Sequence, residues 1–451
     1  KKIMPNLHST LNDALNLDKA TAKMMALHPK LKFRMADPFH YKEKQKTFFQ
    51  KYIQPFGTFL LFPIRLIGAL ASLAFTNVWA QIAMFGYRPA YDDEGHLRPL
   101  STWRKYAFYP AVYSFRAFLA CLGFHYIQVK GKPASKEEAP IVVANHISIL
   151  EPLVIGLLHI PMIVAKNAMR YYPGFANLLY ATQSILVDRK NPNSRIDCIN
   201  DITYRTNHPE FPQLLIFPEG TTHDENSLIH FKRGAFIPGL PVQPIVVRYP
   251  NNGFNPTYTV RGPSLPRMML RCLMEPYNNI ELEYLPVYYP SEAEKADPDL
   301  YASNVQKVMA NAMVSPLVTS HSYFDHQLLT HALKKNPSIH LNTSLNHIHA
   351  QLTQNPFQWN RERNDYYELM DSFATLDKSM NSCIDRNDYF DAYQSKASLD
   401  SLERAYQHLD VDNTNCVDFH DFVLRMAPYY SKEDGLLSPT SAIDSFTADH
   451  M

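Results

Sequence analysis

The 451-residue sequence predicts an α/β protein, with a largely parallel sheet preceded by apolar, membrane-type helices and followed by a small all-α unit. Three observations predict it. Short β-type runs alternate with helical patterns from about 138 to 290. An apolar stretch, "FGTFLLFPIRLIGALASLAFTNVWAQIAMFG" (56–86), precedes them. Two acidic twelve-residue loops, "DKSMNSCIDRND" (377–388) and "DVDNTNCVDFHD" (410–421), follow.

Composition narrows the class. Charged residues make up 19%, below the usual quarter for a soluble domain, and hydrophobic residues 46%, which points to lipid contact. A net charge of +1 argues against a nucleic-acid partner. Five scattered cysteines, odd in number and without C-x-x-C spacing, suit a reducing compartment and imply no disulfide framework.

Taken in order, residues 1–55 form a basic segment, with 11 Lys/Arg against 4 Asp/Glu over the first 51. Residues 56–130 hold the membrane-associated helices. The first stretch is long enough to cross a bilayer or to dip in and return, and Arg65 is its only charge. A buried core helix is the bland alternative. The second, "YAFYPAVYSFRAFLACLGFHYIQV" (106–129), is aromatic-rich and broken by Pro110 and Arg116, as an interfacial helix would be. The basic N-terminus favours the cytosolic side; a hairpin or a double crossing keeps the rest cytosolic, and a single crossing makes it lumenal. The α/β domain occupies 131–290, with strands expected at "IVVAN", "SILVDR", "LLIFPEG", "VQPIVVRYP" and "IELEYLPVY". A histidine-rich helical linker follows at 291–355, then the paired loops at 356–430 and a tail at 431–451.

In "VANHISILEP" (143–152), His146 falls at a strand-to-helix junction with Glu151 five positions on. Five residues turn an α-helix through about 140°, so the pair can meet only across a turn. Ser148 and Glu151 also fit a capping box, and both readings stay open on this stretch alone. In open α/β sheets ligands bind beyond the strand ends, where His146, Arg189, Glu219 and Gly220 would converge.

Four segments in order, "NHISILE", "SILVDRKNPNSR", "IFPEGTTHDENSLIHFKRGAF" and "GLPVQPIVVRYP", resemble the motifs of the glycerolipid acyltransferase superfamily: NH-x4-D, a strand ending in Arg, FPEGT, and a Pro-containing strand. With the flanking "LPVYYPSEAEKADPDLYASNVQKVMA" the likeness is closer still to the lysophosphatidylcholine acyltransferase branch and covers roughly residues 45 to 430. The resemblance implies a glycerolipid acyltransferase-type α/β domain and an acyl-CoA-dependent lysophospholipid acyltransferase making phosphatidylcholine. It implies acyl-CoA as co-substrate, no catalytic cofactor, and the endoplasmic reticulum membrane with a cytosol-facing site, Golgi or lipid droplet being alternatives. His146 would take the proton of the acceptor hydroxyl, an alcohol being a poor nucleophile until then, and Glu151 would orient the ring. Ser148 is then no nucleophile. By the same resemblance Arg189 binds the acceptor's phosphate, and Glu219, Gly220 and Thr221 hold its glycerol end. Lys232 meets phosphates of coenzyme A or else lies on a plain solvated face. One departure stands out: the family's usual aspartate is here Glu151. Lysophosphatidic acid, lysophosphatidylethanolamine or lyso-PAF are the rival acceptors, and a catalytically impaired calcium-responsive membrane protein is the rival class.

The two C-terminal loops match the EF-hand pattern. The second offers Asp410, Asp412, Thr414, the carbonyl of Cys416, Asp418 and Asp421, with Asn415 in place of the turn glycine and Asp421 in place of the bidentate glutamate. Weak Ca²⁺ binding is expected there. The first, with only Asp377, Asp385 and Asp388 as acids, is expected to be weaker or empty, and Ile384 and Val417 at the eighth positions are expected to bridge the loops.

Overall fold

The computed structural model describes residues 37–44, 48, 52, 54–171, 175–188, 194–250, 253–313, 317–341, 344–348, 363–394, 398–410 and 414–430. The chain divides into two compact units, residues 39–318 and a second unit containing 319–451. The basic segment up to residue 36 and the tail from 431 lie outside the described residues.

The larger unit begins with helices α1 (Gln54–Ala83) and α2 (Thr102–Cys121), followed by β1 (Ile127–Lys130), β2 (Ile141–Ala144), α3 (Leu150–His159), β3 (Met162–Lys166), α4 (Phe175–Ala181), β4 (Ile185–Val187), α5 (Ser194–Asn207) and β5 (Leu214–Ile216). Then come β6 (Ser227–Leu228), β7 (Val242–Arg248), α6 (Leu265–Met274), β8 (Ile280–Tyr284), α7 (Glu292–Ala296), α8 (Pro298–Ala312) and β9 (Leu317–Val318). Among the described residues the main sheet has seven strands in the order β1-β8-β7-β2-β5-β3-β4. Every neighbouring pair is parallel except β7 with β8. All five strands expected from sequence are present. β1 and β3 were not foreseen: β1 emerges from the end of the aromatic stretch expected as a helix, and β3 follows α3 after a single left-handed turn at Ile160 (φ 47°).

The four residues of β2 are all buried, as a strand covered on both faces requires. Alternation sends Val142 and Ala144 to one face, where they join Val154 of α3, Phe118 of α2 and Met268 of α6, with Ala69 of α1 in the same cluster. Ile141 and Val143 face the other side, against Tyr301, Val305 and Met309 of α8. The expected linker is therefore corrected at its start: α7 and α8 are part of the larger unit, because α8 carries an apolar stripe at helical spacing that covers the sheet.

Helices α1 and α2 form an antiparallel pair. Thr76 Oγ1 meets Ser114 Oγ at 2.6 Å, and Gly68 lies where a Cβ would sit 2.9 Å from Cys121 Sγ, so a glycine is what allows the close approach. α2 runs unbroken through Pro110, contrary to the sequence reading. The arginines inside these apolar helices serve as caps. Arg65 donates to the carbonyls of Leu273, Glu275 and Pro276 at the end of α6, and Arg116 to those of Phe124 and His125. The outer faces stay apolar and open: Phe59, Ile64, Ile67 and Tyr113 are exposed, and 11% of the most apolar window of α1 is buried. By length and composition, Phe59–Ala83 is long enough and apolar enough to cross a membrane.

The second unit contains α9 (Tyr323–Ala332), α10 (Arg363–Leu376), α11 (Arg386–Tyr393), α12 (Leu399–Leu409) and α13 (Phe419–Tyr430). The last four form two helix–loop–helix units around Leu369, Phe373, Leu402, Tyr406 and Phe422, all buried. Ile384 and Val417 bridge the loops, their main chains exchanging hydrogen bonds of 3.0 and 3.2 Å. Beside the bridge, Cys383 and Cys416 form a disulfide with Cα atoms 5.3 Å apart. This corrects the expectation of no disulfide: the two cysteines hold equivalent positions in repeated loops, so the bridge that aligns the loops also aligns the thiols.

Gly131, at φ +74°, carries the chain off β1 so close to β8 that a Cβ would lie 2.2 Å from the carbonyl oxygen of Tyr284. Gly131→Ala should therefore cost about 2 kcal/mol or more, combining left-handed strain with a backbone clash. Thermal unfolding would read this as a lowered midpoint, and an unchanged midpoint would contradict it.

Candidate active site

The site forms where β2 ends. Asn145 prolongs the ladder with its side chain, its Nδ2 donating to Val247 O at 3.1 Å while its Oδ1 accepts from Val247 N at 2.7 Å. The amide replaces the next main-chain pair, so the backbone is free to turn and present His146. That ring stacks on Phe217, just beyond the end of β5, with centroids 4.2 Å apart and planes at 24°. Its side chain is 18% exposed.

His146 Nδ1 lies 3.0 Å from Glu151 Oε2. The carboxylate sits in the first turn of α3 and is fully enclosed. Both of its oxygens also accept from Ser148 N, at 2.8 and 2.9 Å, and Oε1 accepts the hydroxyl of Tyr249 at 2.5 Å. Burial, reinforced by the charge of Glu151, holds the Tyr249 phenol well above its ordinary range, so it stays protonated and donates. Since the carboxylate only accepts, Nδ1 carries the proton of a neutral His146, and Nε2 is left as the basic nitrogen. Ser148 is buried, its hydroxyl turned to Met268 Sδ at 3.7 Å.

Glu219 is placed differently from the sequence expectation. It is fully buried; Oε2 accepts from the main-chain N–H of His146 at 2.7 Å, and Oε1 lies 2.7 Å from Nε2 of His223. His223 N in turn donates to His146 O at 3.1 Å. A carboxylate so enclosed clamps the protein's own main chain and has no oxygen turned to solvent for a glycerol. Gly220, at φ +72°, lies under Lys232: a Cβ there would meet Lys232 Nζ at 2.4 Å, so the glycine leaves room for that cation. Thr221 is buried. Arg189 lies outside the described residues; β4, the strand that leads to it, is parallel to β2 and three strand spacings away, about 14 Å.

In the second unit, Asp410 accepts from the main-chain N–H groups of Thr414 and Asn415 at 3.0 and 2.8 Å, and Thr414 Oγ1 donates to Cys416 O at 3.3 Å. Donor atoms of Asp418, His420 and Asp421 lie within 4.8 Å of one another. Asp412 lies outside the described residues. Ser382 and Asn415, at the sixth position of each loop, both take left-handed backbone, with φ of 68° and 55°.

Sequence reasoning missed Asn145, Phe217, His223 and Tyr249. All four stood inside motifs already singled out. Nothing local marked Tyr249 as a partner of Glu151, because its place there is created by the pairing of β7 with β2.

A family model, Acyltransferase, matches residues 126–248. The chain is 39% identical to a lysophosphatidylcholine acyltransferase of Drosophila melanogaster, over 61% of this chain and 51% of that one. It is 38% identical to lysophosphatidylcholine acyltransferase 1 of Danio rerio, over 62% and 53%, and 34% identical to lysophosphatidylcholine acyltransferase 2 of Mus musculus, over 73% and 60%. The chain thus spans little more than half the length of these curated relatives. Residues 126–248 thus match the Acyltransferase family, and the chain is similar to lysophosphatidylcholine acyltransferases.

Proposed function

We propose that the protein is an acyl-CoA-dependent lysophospholipid O-acyltransferase, with lysophosphatidylcholine as its acceptor. The observation that carries the reading is the contact of His146 Nδ1 with the buried Glu151, which leaves Nε2 on the open side of the ring. Nε2 takes the proton of the lysophospholipid hydroxyl as its oxygen attacks the thioester carbonyl. The C–S bond breaks, the thiolate of coenzyme A leaves, and the proton on His146 passes to it. No acyl-enzyme forms. Glu151 stabilises the imidazolium while the proton resides there. Lys232, over Gly220, supplies positive charge for a phosphate of either substrate, and Arg189 is assigned to the acceptor's phosphate on the family resemblance.

The same reading places the hairpin of α1 and α2 in the bilayer surface. Its outer face is apolar and exposed, while Arg65 ties α1 to the end of α6 and Ala80 and Ala83 cluster with Ala181 of α4. With both stretches of α1 held against one unit, the hairpin lies along that unit. This supports entry into one leaflet, with the active site on the cytosolic side of the endoplasmic reticulum.

The second unit reads as an EF-hand pair. The bridge, the left-handed sixth positions and the carboxylates of Asp410, Asp418 and Asp421 suit a weak Ca²⁺ site in the second loop. Asp377 accepts the same two main-chain N–H bonds in the first loop as Asp410 does in the second, but it also accepts from Asn336 Nδ2, and Asp388 accepts from Ser379, which favours packing over binding there.

Three outcomes are expected. Protein in micelles should convert lysophosphatidylcholine and acyl-CoA to phosphatidylcholine in preference to other lyso-acceptors, and His146→Ala should abolish this; full activity in that variant removes the mechanism. Tyr249→Phe withdraws one donor from a buried carboxylate and should lower kcat about tenfold, with KM for acyl-CoA little changed; an unaltered kcat would show that Glu151 needs no such support. Calorimetric titration with Ca²⁺ should find at most one site, with a dissociation constant on the order of 10⁻⁴ M or weaker, lost in Asp410→Asn. Two tight sites would overturn the assignment of the loops.

A further inference from the structure

We infer that His223 is the buried counter-ion of Glu219, held as an imidazolium, and that this second histidine–carboxylate pair positions His146 and keeps it a base near neutral pH. Two acceptor neighbours decide the protonation. Nδ1 of His223 lies 2.9 Å from the carbonyl oxygen of Asp224, and Nε2 lies 2.7 Å from Glu219 Oε1. Both partners only accept, so each ring nitrogen must carry a proton. The contact with Glu219 is close in distance but oblique to the ring N–H, an ion pair more than a hydrogen bond. Neither side chain has any exposed surface, and a carboxylate sealed in this way calls for a compensating positive charge. Burial by itself would lower the pKa of His223; the charge of Glu219, helped by Asp224, outweighs it and raises the value.

The pair grips the catalytic residue from both sides. The Glu219 carboxylate accepts the N–H of His146 and the main-chain N–H of His223 donates to its carbonyl, so a single peptide segment is fixed by the carboxylate and by the backbone that carries its counter-ion. The charged or titratable groups facing this cluster are few. Glu151 and, through it, Tyr249 lie on the side of the His146 ring; Asp224, whose own pKa burial raises, lies beside His223; and Lys232 lies over Gly220. With His223 charged, the anion of Glu219 is neutralised where it meets the His146 main chain. Without it, an uncompensated anion beside the His146 main chain favours the imidazolium of His146 and withdraws the free base. His223 is thus a positioning residue that never touches substrate.

The catalytic half of this inference rests on the proposed acyl transfer, and the protonation half does not. In wild-type protein with ¹⁵N-labelled histidine, one ring should keep both protons well above neutral pH, and its signal should vanish in His223→Gln and lose its second proton in Glu219→Gln. Absence of such a ring in the wild type overturns the inference even if the variants fail to fold. In turnover, His223→Gln should move the acid limb of the kcat/KM profile up by about one pH unit, while the double variant Glu219→Gln/His223→Gln, with no net charge left to balance, should return it close to the wild-type position. An acid limb that stays in place in His223→Gln also overturns it. A wild-type protein without turnover, but with the doubly protonated ring present, would remove the proposed function and leave the ion pair standing.

Discussion

The carboxylate of Glu151 is the charge on which the active-site side of the sheet is assembled. It is enclosed, and an enclosed anion persists only if its lone pairs are met by donors. Those donors come from different parts of the chain: the main chain of the turn after β2, the ring of His146, and the hydroxyl of Tyr249 just past β7. Turn, helix start and neighbouring strand end are therefore registered on one group. A misplacement of any of them exposes or strands that charge, so the geometry of the His146–Glu151 contact is enforced by the same desolvation that would otherwise make it costly.

This also resolves the ambiguity of "NHISILE". The capping box and the dyad compete for Glu151 on paper, yet the side chain performs both. Ser148 N occupies both oxygens from one direction and His146 Nδ1 approaches Oε2 from another. The extra methylene relative to aspartate lets a residue in the first helical turn reach back to the ring while still satisfying the helix start, and the helix dipole favours its charge there.

Much of the fold was legible because buried strands announce themselves as short apolar runs; β2, β4, β5, β7 and β8 all did so. β1 was hidden by the aromatic stretch it terminates, and β3 by its nearness to α3, since a five-residue apolar run after an apolar helix has no period of its own to separate it. α8 was read as linker because the whole helical stretch 291–355 was taken as one region, although its first part carries an apolar stripe that covers the sheet. The approach of Glu151 to His146 was one of two readings open from order and spacing, and the structure shows that contact. The other neighbours of His146 were not legible: β5 lies beside β2 although about seventy residues separate them, and Phe217, Glu219 and His223 meet His146 only through that adjacency. The burial of Glu219 was not legible for the same reason, since no local pattern tells an inward carboxylate from an outward one.

The bridge and the cystine between the two C-terminal loops make them mechanically a single object. A tether at matching positions means that tightening one loop draws its twin into the same shape. Dissecting them by separate substitutions would thus mislead: a lesion in the acid-poor loop would be felt by its better-endowed neighbour, and reductant in the buffer would alter both together.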